Sequence, residues 1–172
     1  MWWRNTLVFT FTVLLCALAL EPTTGVAQQK SLKEQLTGIW TFVSAVETSK
    51  DGKTSDRWGA NPKGMIIFDA SGRYSFMISR SDIPKFAADT VTQGTAEENK
   101  AVVHGIITYI GTWSVDEATK TLITNIEASS FPNVNGTSQK RIITSLTADE
   151  LRYTNPAATT GTVAEVVWRR VK

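Results

Sequence analysis

Cysteine is nearly absent from this chain: of 172 residues only Cys16 carries a thiol, and it lies in an apolar run near the amino terminus. If that run is a leader that is removed, disulfides, thiolate nucleophiles and cysteine metal ligands are all excluded. Histidine is equally scarce, with His104 alone, and no Asp-rich loop of alternating ligands replaces it, so no metal site is expected. No Gly-x-Ser-x-Gly elbow occurs, which argues against a serine hydrolase. The net charge is only +2 and basic residues form no run, whereas nucleic-acid binding calls for clustered Lys and Arg. No cofactor is expected either.

What the chain does have begins with an export signal. Met1 to Asn5 is a short n-region with Arg4, and Thr6 to Leu20 is almost wholly apolar. That run falls short of the roughly 20 residues that span a bilayer, but it suits the h-region of a signal peptide. Small residues, Gly25-Val26-Ala27, follow Pro22, so residues 1–27 read as signal peptide and residues 28–172 as the mature domain. An uncleaved anchor is the alternative; a lipoprotein is disfavoured because Leu15 before Cys16 is too bulky. An exported domain without disulfides fits a bacterial periplasm or secretion, and the mature chain carries no stable membrane span.

Two short helices announce themselves by capping boxes, Ser31-Leu32-Lys33-Glu34 and Thr95-Ala96-Glu97-Glu98, with Gly38 and Gly105 where each should stop. His104 falls at the end of the second helix, where exposed carbonyls favour a positive imidazolium, and no partner for catalysis stands nearby. The remainder reads as strands at about 38–48, 64–69, 73–80, 106–115, 121–128, 138–146, 151–154 and 162–171. Turn residues separate them, among them Asp51-Gly52, Asp69 to Gly72, Asn135-Gly136 and Asn155-Pro156. Many short strands with few intervening helices predict an antiparallel, all-β sandwich or barrel. Alternation places Trp40, Phe42, Ser44 and Val46 on one face of the first strand, Tyr74, Phe76 and Ile78 on one face of the third, and Ala164, Val166, Trp168 and Arg170 on one face of the last. Gly38-Ile39-Trp40-Thr41 and Gly111-Thr112-Trp113-Ser114 echo each other, more simply as two demands for a tryptophan plug than as a duplication.

These motifs resemble, in order, the calycin superfamily and within it the lipocalin-like domain family of bacteria and fungi. The resemblance is carried by Leu36-Thr37-Gly38-Ile39-Trp40, by Pro62 to Ser75, by Tyr109 to Asp116, by Phe131-Pro132-Asn133 with Gln139-Lys140-Arg141, and by Trp168-Arg169-Arg170. It departs from the kernel lipocalins at Thr41, where an aromatic is usual, and lacks their Thr-Asp-Tyr motif and C-terminal helix. It implies a single up-and-down barrel of about eight strands. It further implies that Gly38, Trp40, Trp113, Trp168 and Arg170 close the barrel, with Arg170 or Arg169 stacked on Trp40.

Small barrels of about eight strands are either filled by side chains or keep one small-ligand cavity. The expected function is therefore to bind a small apolar or amphipathic molecule. A cofactor-independent isomerase or cyclase and a ligand-free structural barrel are the alternatives. If the turn near Pro132 sets the register, Asn125 faces Arg141 and Glu127 faces Gln139, a polar cluster able to orient a carboxylate if it points inward. Tyr74 and Phe76 would line the same cavity. Phe86, in the aperiodic stretch Ser81 to Gly94, belongs either to a lid or to a loop that it merely anchors. The mature protein should begin at Gln28, which the intact mass of the exported product will show; a product retaining Cys16 would refute it.

Overall fold

The computed structural model describes residues 30–172, so the leader and its cleavage point lie outside the described residues. The order is α1 (Leu32–Leu36), β1 (Gly38–Thr48), β2 (Thr54–Ser55), β3 (Lys63–Phe68), β4 (Arg73–Ser79), α2 (Ala96–Gly105), β5 (Ile106–Asp116), β6 (Thr121–Ser129), β7 (Ser138–Leu146), β8 (Glu150–Asn155) and β9 (Val163–Arg170), with 3-10 turns at Val91–Gln93 and Pro132–Val134. Each long strand pairs antiparallel with its neighbour from β3 to β9. β1 lies between β3 and β9 and closes the sheet into an eight-stranded barrel, while the two-residue β2 is a hairpin extension of β1. No helix among the described residues is long and apolar enough to cross a membrane.

The two ends of the barrel differ because their connections differ. Tight turns join β3 to β4, β5 to β6 and β7 to β8 at one end. Asp69 and Asp116 accept the amides of Ser71 (2.8 Å) and Ala118 (3.0 Å) there. Gly72 and Lys120 take positive φ in those turns. Long segments, 49–62, 80–105, 130–137 and 156–162, crowd the other end.

α1 plugs the tight end. Ser31 and Glu34 form the expected capping box, and Leu36 at the end of the helix is fully buried. Trp40 is also fully buried, and its Nε1 donates to the Leu36 carbonyl oxygen at 2.8 Å. The Arg170 guanidinium lies 3.9 Å over the Trp40 ring. It also donates to the carbonyl oxygens of Thr37 (3.0 Å) and Ala148 (2.7 Å) and to that of Gln35. Trp113 repeats the arrangement: its indole donates to the Asp69 carbonyl oxygen (2.9 Å) and its ring meets Phe68 at 4.9 Å. Trp168 is inward and fully buried, edge-on to Phe42 and Phe76. Of the two arginines the resemblance offered, Arg170 is the one that stacks. Gly111 sits where β5 and β6 shift register, and a Cβ there would overlap the Asn125 carbonyl oxygen.

Strict alternation misreads β1. Its pairing with β9 runs Phe42 to Trp168 and then Ser44 to Val167, so Val43 is an extra, bulged residue. Past the bulge the faces exchange: Ala45 and Glu47 are buried, and Val46, expected inside with Trp40 and Phe42, is exposed.

Trp40→Ala removes a fully buried aromatic and should cost about 3–5 kcal/mol in denaturant unfolding. A double-mutant cycle with Arg170→Met should return about 0.5–2 kcal/mol of coupling, as expected for a partly desolvated cation–π pair. Additive losses would show that the stack contributes nothing.

Candidate functional site

At the tight end aromatic side chains fill the barrel, so its interior space is confined to the half below the long loops, while two open surface clefts of about 480 and 620 Å³ flank α1 on the outside. The residual interior cavity there is about 50 Å³, room for a water or two. Phe76, Ile78, Ile107 and Val166 supply apolar wall, and Glu47, Tyr109, Arg141, Tyr153 and Asn155 supply polar groups. Above it a vestibule of about 500 Å³ opens to solvent between Arg57, Arg80, Val103, His104, Ile106 and Phe131. Arg57, Ile107 and Thr159 border both spaces, so the vestibule floor is the cavity roof.

Trp58 forms the lid of the inner cavity. It is buried, edge-on to Phe42 at 6.2 Å, in the segment that bridges β2 and β3. Arg57 stacks 4.5 Å over the Trp58 ring and donates to the His104 carbonyl oxygen at 3.0 Å, tying this segment to the end of α2. His104 itself is exposed at the vestibule rim.

Arg141 dominates the electrostatics of the cavity. Its side chain is inward with only 7% of its surface exposed. It donates to the Gln139 side-chain oxygen at 2.5 Å and to the Lys140 carbonyl oxygen at 3.1 Å. Among the described residues it forms no ion pair. Burial pushes the Tyr74, Tyr109 and Tyr153 hydroxyls above the ordinary phenol range, and the positive charge of Arg141 opposes the rise at all three. These phenols are therefore neutral donors gathered around a cation. Tyr74, Phe76 and Tyr109 stack in series along one wall, with centroid separations of 6.4 and 5.1 Å.

The polar cluster expected on the β6–β7 hairpin is divided by the barrel wall. Asn125 pairs with Ser138 and Leu122 with Arg141, an offset of three from the expected register. An odd offset exchanges faces, so Leu122, Thr124 and Ile126 point inward and Asn125 and Glu127 outward. Asn125 donates to the Thr112 hydroxyl at 3.3 Å. Glu127 is claimed by Arg73 through two hydrogen bonds of 2.6 and 2.9 Å, which hold its carboxyl below the usual range. Gln139 remains half-buried beside Arg141, as expected of an inward pair. Tyr74 and Phe76 are buried on the inner face. Phe86 packs against Gly94 in its own loop and lines neither cavity, so it anchors that loop.

Sequence reasoning missed Glu47, Arg57, Trp58, Tyr109 and Tyr153. The parity of Tyr109 was readable from Ile107-Thr108-Tyr109-Ile110-Gly111 and that of Tyr153 from Leu151-Arg152-Tyr153. Glu47 was hidden by the bulge, and Trp58 sits in a segment without periodicity.

The chain belongs to the lipocalin-like domain family, whose model matches residues 37–171. No protein of curated function matches it. Among solved structures it is similar to a lipocalin-like protein from Bacteroides uniformis, at 13% identity over 80% of this chain and 99% of that one, with a TM-score of 0.45. It is also similar to a de novo designed fluorescence-activating β-barrel, at 14% identity over 83% of this chain and 100% of that one (TM-score 0.40). An uncharacterized protein from Bacteroides eggerthii is similar at 13% identity, over 78% and 98% of the two chains (TM-score 0.38).

Because Glu127 is engaged outside the wall, Glu127→Gln should leave binding of carboxylate-bearing probes unchanged. A titration showing weaker binding would mean that its charge reaches the interior after all.

Proposed function

We propose that this protein is an exported carrier of a small amphipathic acid, held with its anionic head at Arg141 and its apolar body toward the vestibule. One observation carries the reading: a guanidinium almost wholly withdrawn from water, with neutral hydrogen-bond partners and no carboxylate within ion-pair distance among the described residues, Glu47 lining the same cavity without touching it. A buried charge without a counter-charge is costly, and an anion entering from outside would lower that cost. The guanidinium fork suits a carboxylate, and the nearby phenols can donate to the same head.

The vestibule supports this reading. Its volume lies within the range of small-molecule sites, which span roughly 300–1,000 Å³, and Val103, Ile106, Ile107 and Phe131 give it an apolar wall. Arg57 and Arg80 at its border would attract an anion toward the mouth. Arg80 is already paired with Asp82. The inner cavity is too small for a ligand head as it stands, so binding requires the Arg57–Trp58 segment to move outward, a displacement that breaks the hydrogen bonds of Arg57 to the His104 carbonyl oxygen (3.0 Å) and of Arg80 to the Arg57 carbonyl oxygen (3.3 Å). The enzyme alternative, which relied on Asn125, Glu127, Gln139 and Arg141 acting as one set, is left with Gln139 and Arg141 inside the barrel.

Arg141→Met keeps the length and removes the charge. It should leave the thermal transition in place or raise it, since a buried charge is replaced by an apolar chain. Binding of octanoate should weaken about tenfold or more, the worth of a charge-assisted hydrogen bond, while 1-octanol binding stays nearly constant. Equal loss for both probes, measured by tryptophan fluorescence or calorimetry, would refute the role of Arg141 as the anion anchor.

A further inference from the structure

A second charge is buried in the same cavity. Glu47 is only 6% exposed, and its Oε2 accepts hydrogen bonds from the hydroxyls of Thr160 (2.9 Å) and Thr162 (3.1 Å). Both threonines belong to the loop between β8 and β9 at the barrel mouth. Both hydrogen bonds fall on one oxygen, and among the described residues Glu47 takes part in no ion pair. Arg57, another cation on the lining, is turned to the His104 carbonyl oxygen and the Trp58 ring.

The sheet register explains why Glu47 and Arg141 share one space without touching. Glu47 pairs with Ala164, and Ala164 with Asn155. Ile142 pairs with Thr154, so the next position along puts Arg141 beside Asn155. Glu47, Ala164, Asn155 and Arg141 thus follow one another around the wall on four adjacent strands, and all four line the cavity. Ala164 is the smallest of them and leaves the gap between the two charges open. Strands tilt in a barrel, so such a row climbs as it runs around the wall. Glu47 is at the upper end, under Thr160 of the vestibule, and Arg141 at the lower end, where Tyr74 feels its charge.

Resting on the carrier reading above, we propose that the ligand is zwitterionic: an amphipathic amino acid whose anionic group meets Arg141 and whose ammonium group, nearer the mouth, meets Glu47. Two opposite charges, each buried and each unpaired, disfavour a simple fatty acid, because its carboxylate would satisfy Arg141 and leave Glu47 uncompensated. A ligand carrying both signs compensates both. Glu47 then selects among acids, whereas Arg141 holds any of them.

The test is a calorimetric titration of octanoate, 2-aminooctanoate, 4-aminooctanoate and octylamine against wild type, Glu47→Gln, Glu47→Asp and Arg141→Met. In wild type at least one of the amino acids should bind about tenfold to a hundredfold more tightly than octanoate, the range of one charge-assisted hydrogen bond. Glu47→Gln keeps an acceptor for Thr160 and Thr162 and should reduce that amino acid to the octanoate level or below. Octanoate binding should hold or improve, which also shows that the variant is folded. Glu47→Asp should retain part of the preference. Amino acids that bind no better than octanoate, or a preference that survives Glu47→Gln, would overturn the proposal while leaving the carrier reading intact. Octanoate binding that is indifferent to Arg141→Met would instead sink the carrier reading. An amine preference still abolished by Glu47→Gln would then stand as a property of Glu47 alone. Failure of all four probes to bind wild type would overturn both.

Discussion

The stack of Arg170 on Trp40 is the joint on which the rest of the barrel depends. β1 must pair with β9 to close the sheet, and these two residues are themselves cross-strand partners at that seam. One guanidinium covers the indole, takes carbonyl oxygens at the end of α1 and reaches the turn before β8. A single partly desolvated cation therefore ties three separate parts of the chain, and burial draws its pKa down from the usual arginine value, against the influence of Asp149. With the seam fixed there, Leu36, Phe68, Trp113 and Leu151 pack the same end without leaving a cavity. Space inside the barrel therefore lies at the other end, under the long loops.

That division decides where polarity can be tolerated. In the packed half, the indoles of Trp40 and Trp113 each donate to a backbone carbonyl. In the looser half, Arg141 and Glu47 are buried with partial hydrogen-bond sets and, among the described residues, no ion pair. Burying such groups works against stability, and apolar residues of similar volume would pack as well. A barrel that needed only to be stable would have no use for them in this position. Their presence there places the electrostatic cost in the half covered by the long loops, under a roof of Arg57, Trp58, Ile107 and Thr159.

Much of this was legible in the sequence because barrels are punctuated by local chemistry. Both capping boxes formed, and β1 and β7 have the bounds that alternation and turn residues indicated. The two Gly-x-Trp tryptophans, Trp40 and Trp113, are both buried and both donate to backbone carbonyls. What resisted was parity. The β6–β7 connection contains a 3-10 turn at Pro132–Val134 and a left-handed Gly136, and together these move the register by three, an odd number. Local composition did hold a clue: Leu122, Thr124 and Ile126 form a less polar series than Ile123, Asn125 and Glu127, and the more polar series is the outer one. Arg141 on the opposing strand takes the inward of the two orientations left open, with Leu122 rather than Asn125 as its cross-strand partner.

The bulge at Val43 had the larger consequence. Without it, alternation from Trp40 and Phe42 would carry Ser44, Val46 and Thr48 into the barrel and put Glu47 in solvent. One inserted residue reverses this. It brings Ala45 and Glu47 inside and turns Val46 out. Bulges commonly re-aim a side chain beside a functional site, and here the re-aimed side chain is a carboxylate that lines the same cavity as Arg141, the other charged side chain buried among the described residues. The tight end tolerates no such irregularity in β1, because Gly38 to Thr41 is paired on both edges or locked under α1. Beyond Thr41, β1 has lost β3 as a neighbour and is free to bulge. The charge pattern of the cavity is thus a consequence of where the first strand stops being a two-sided member of the sheet.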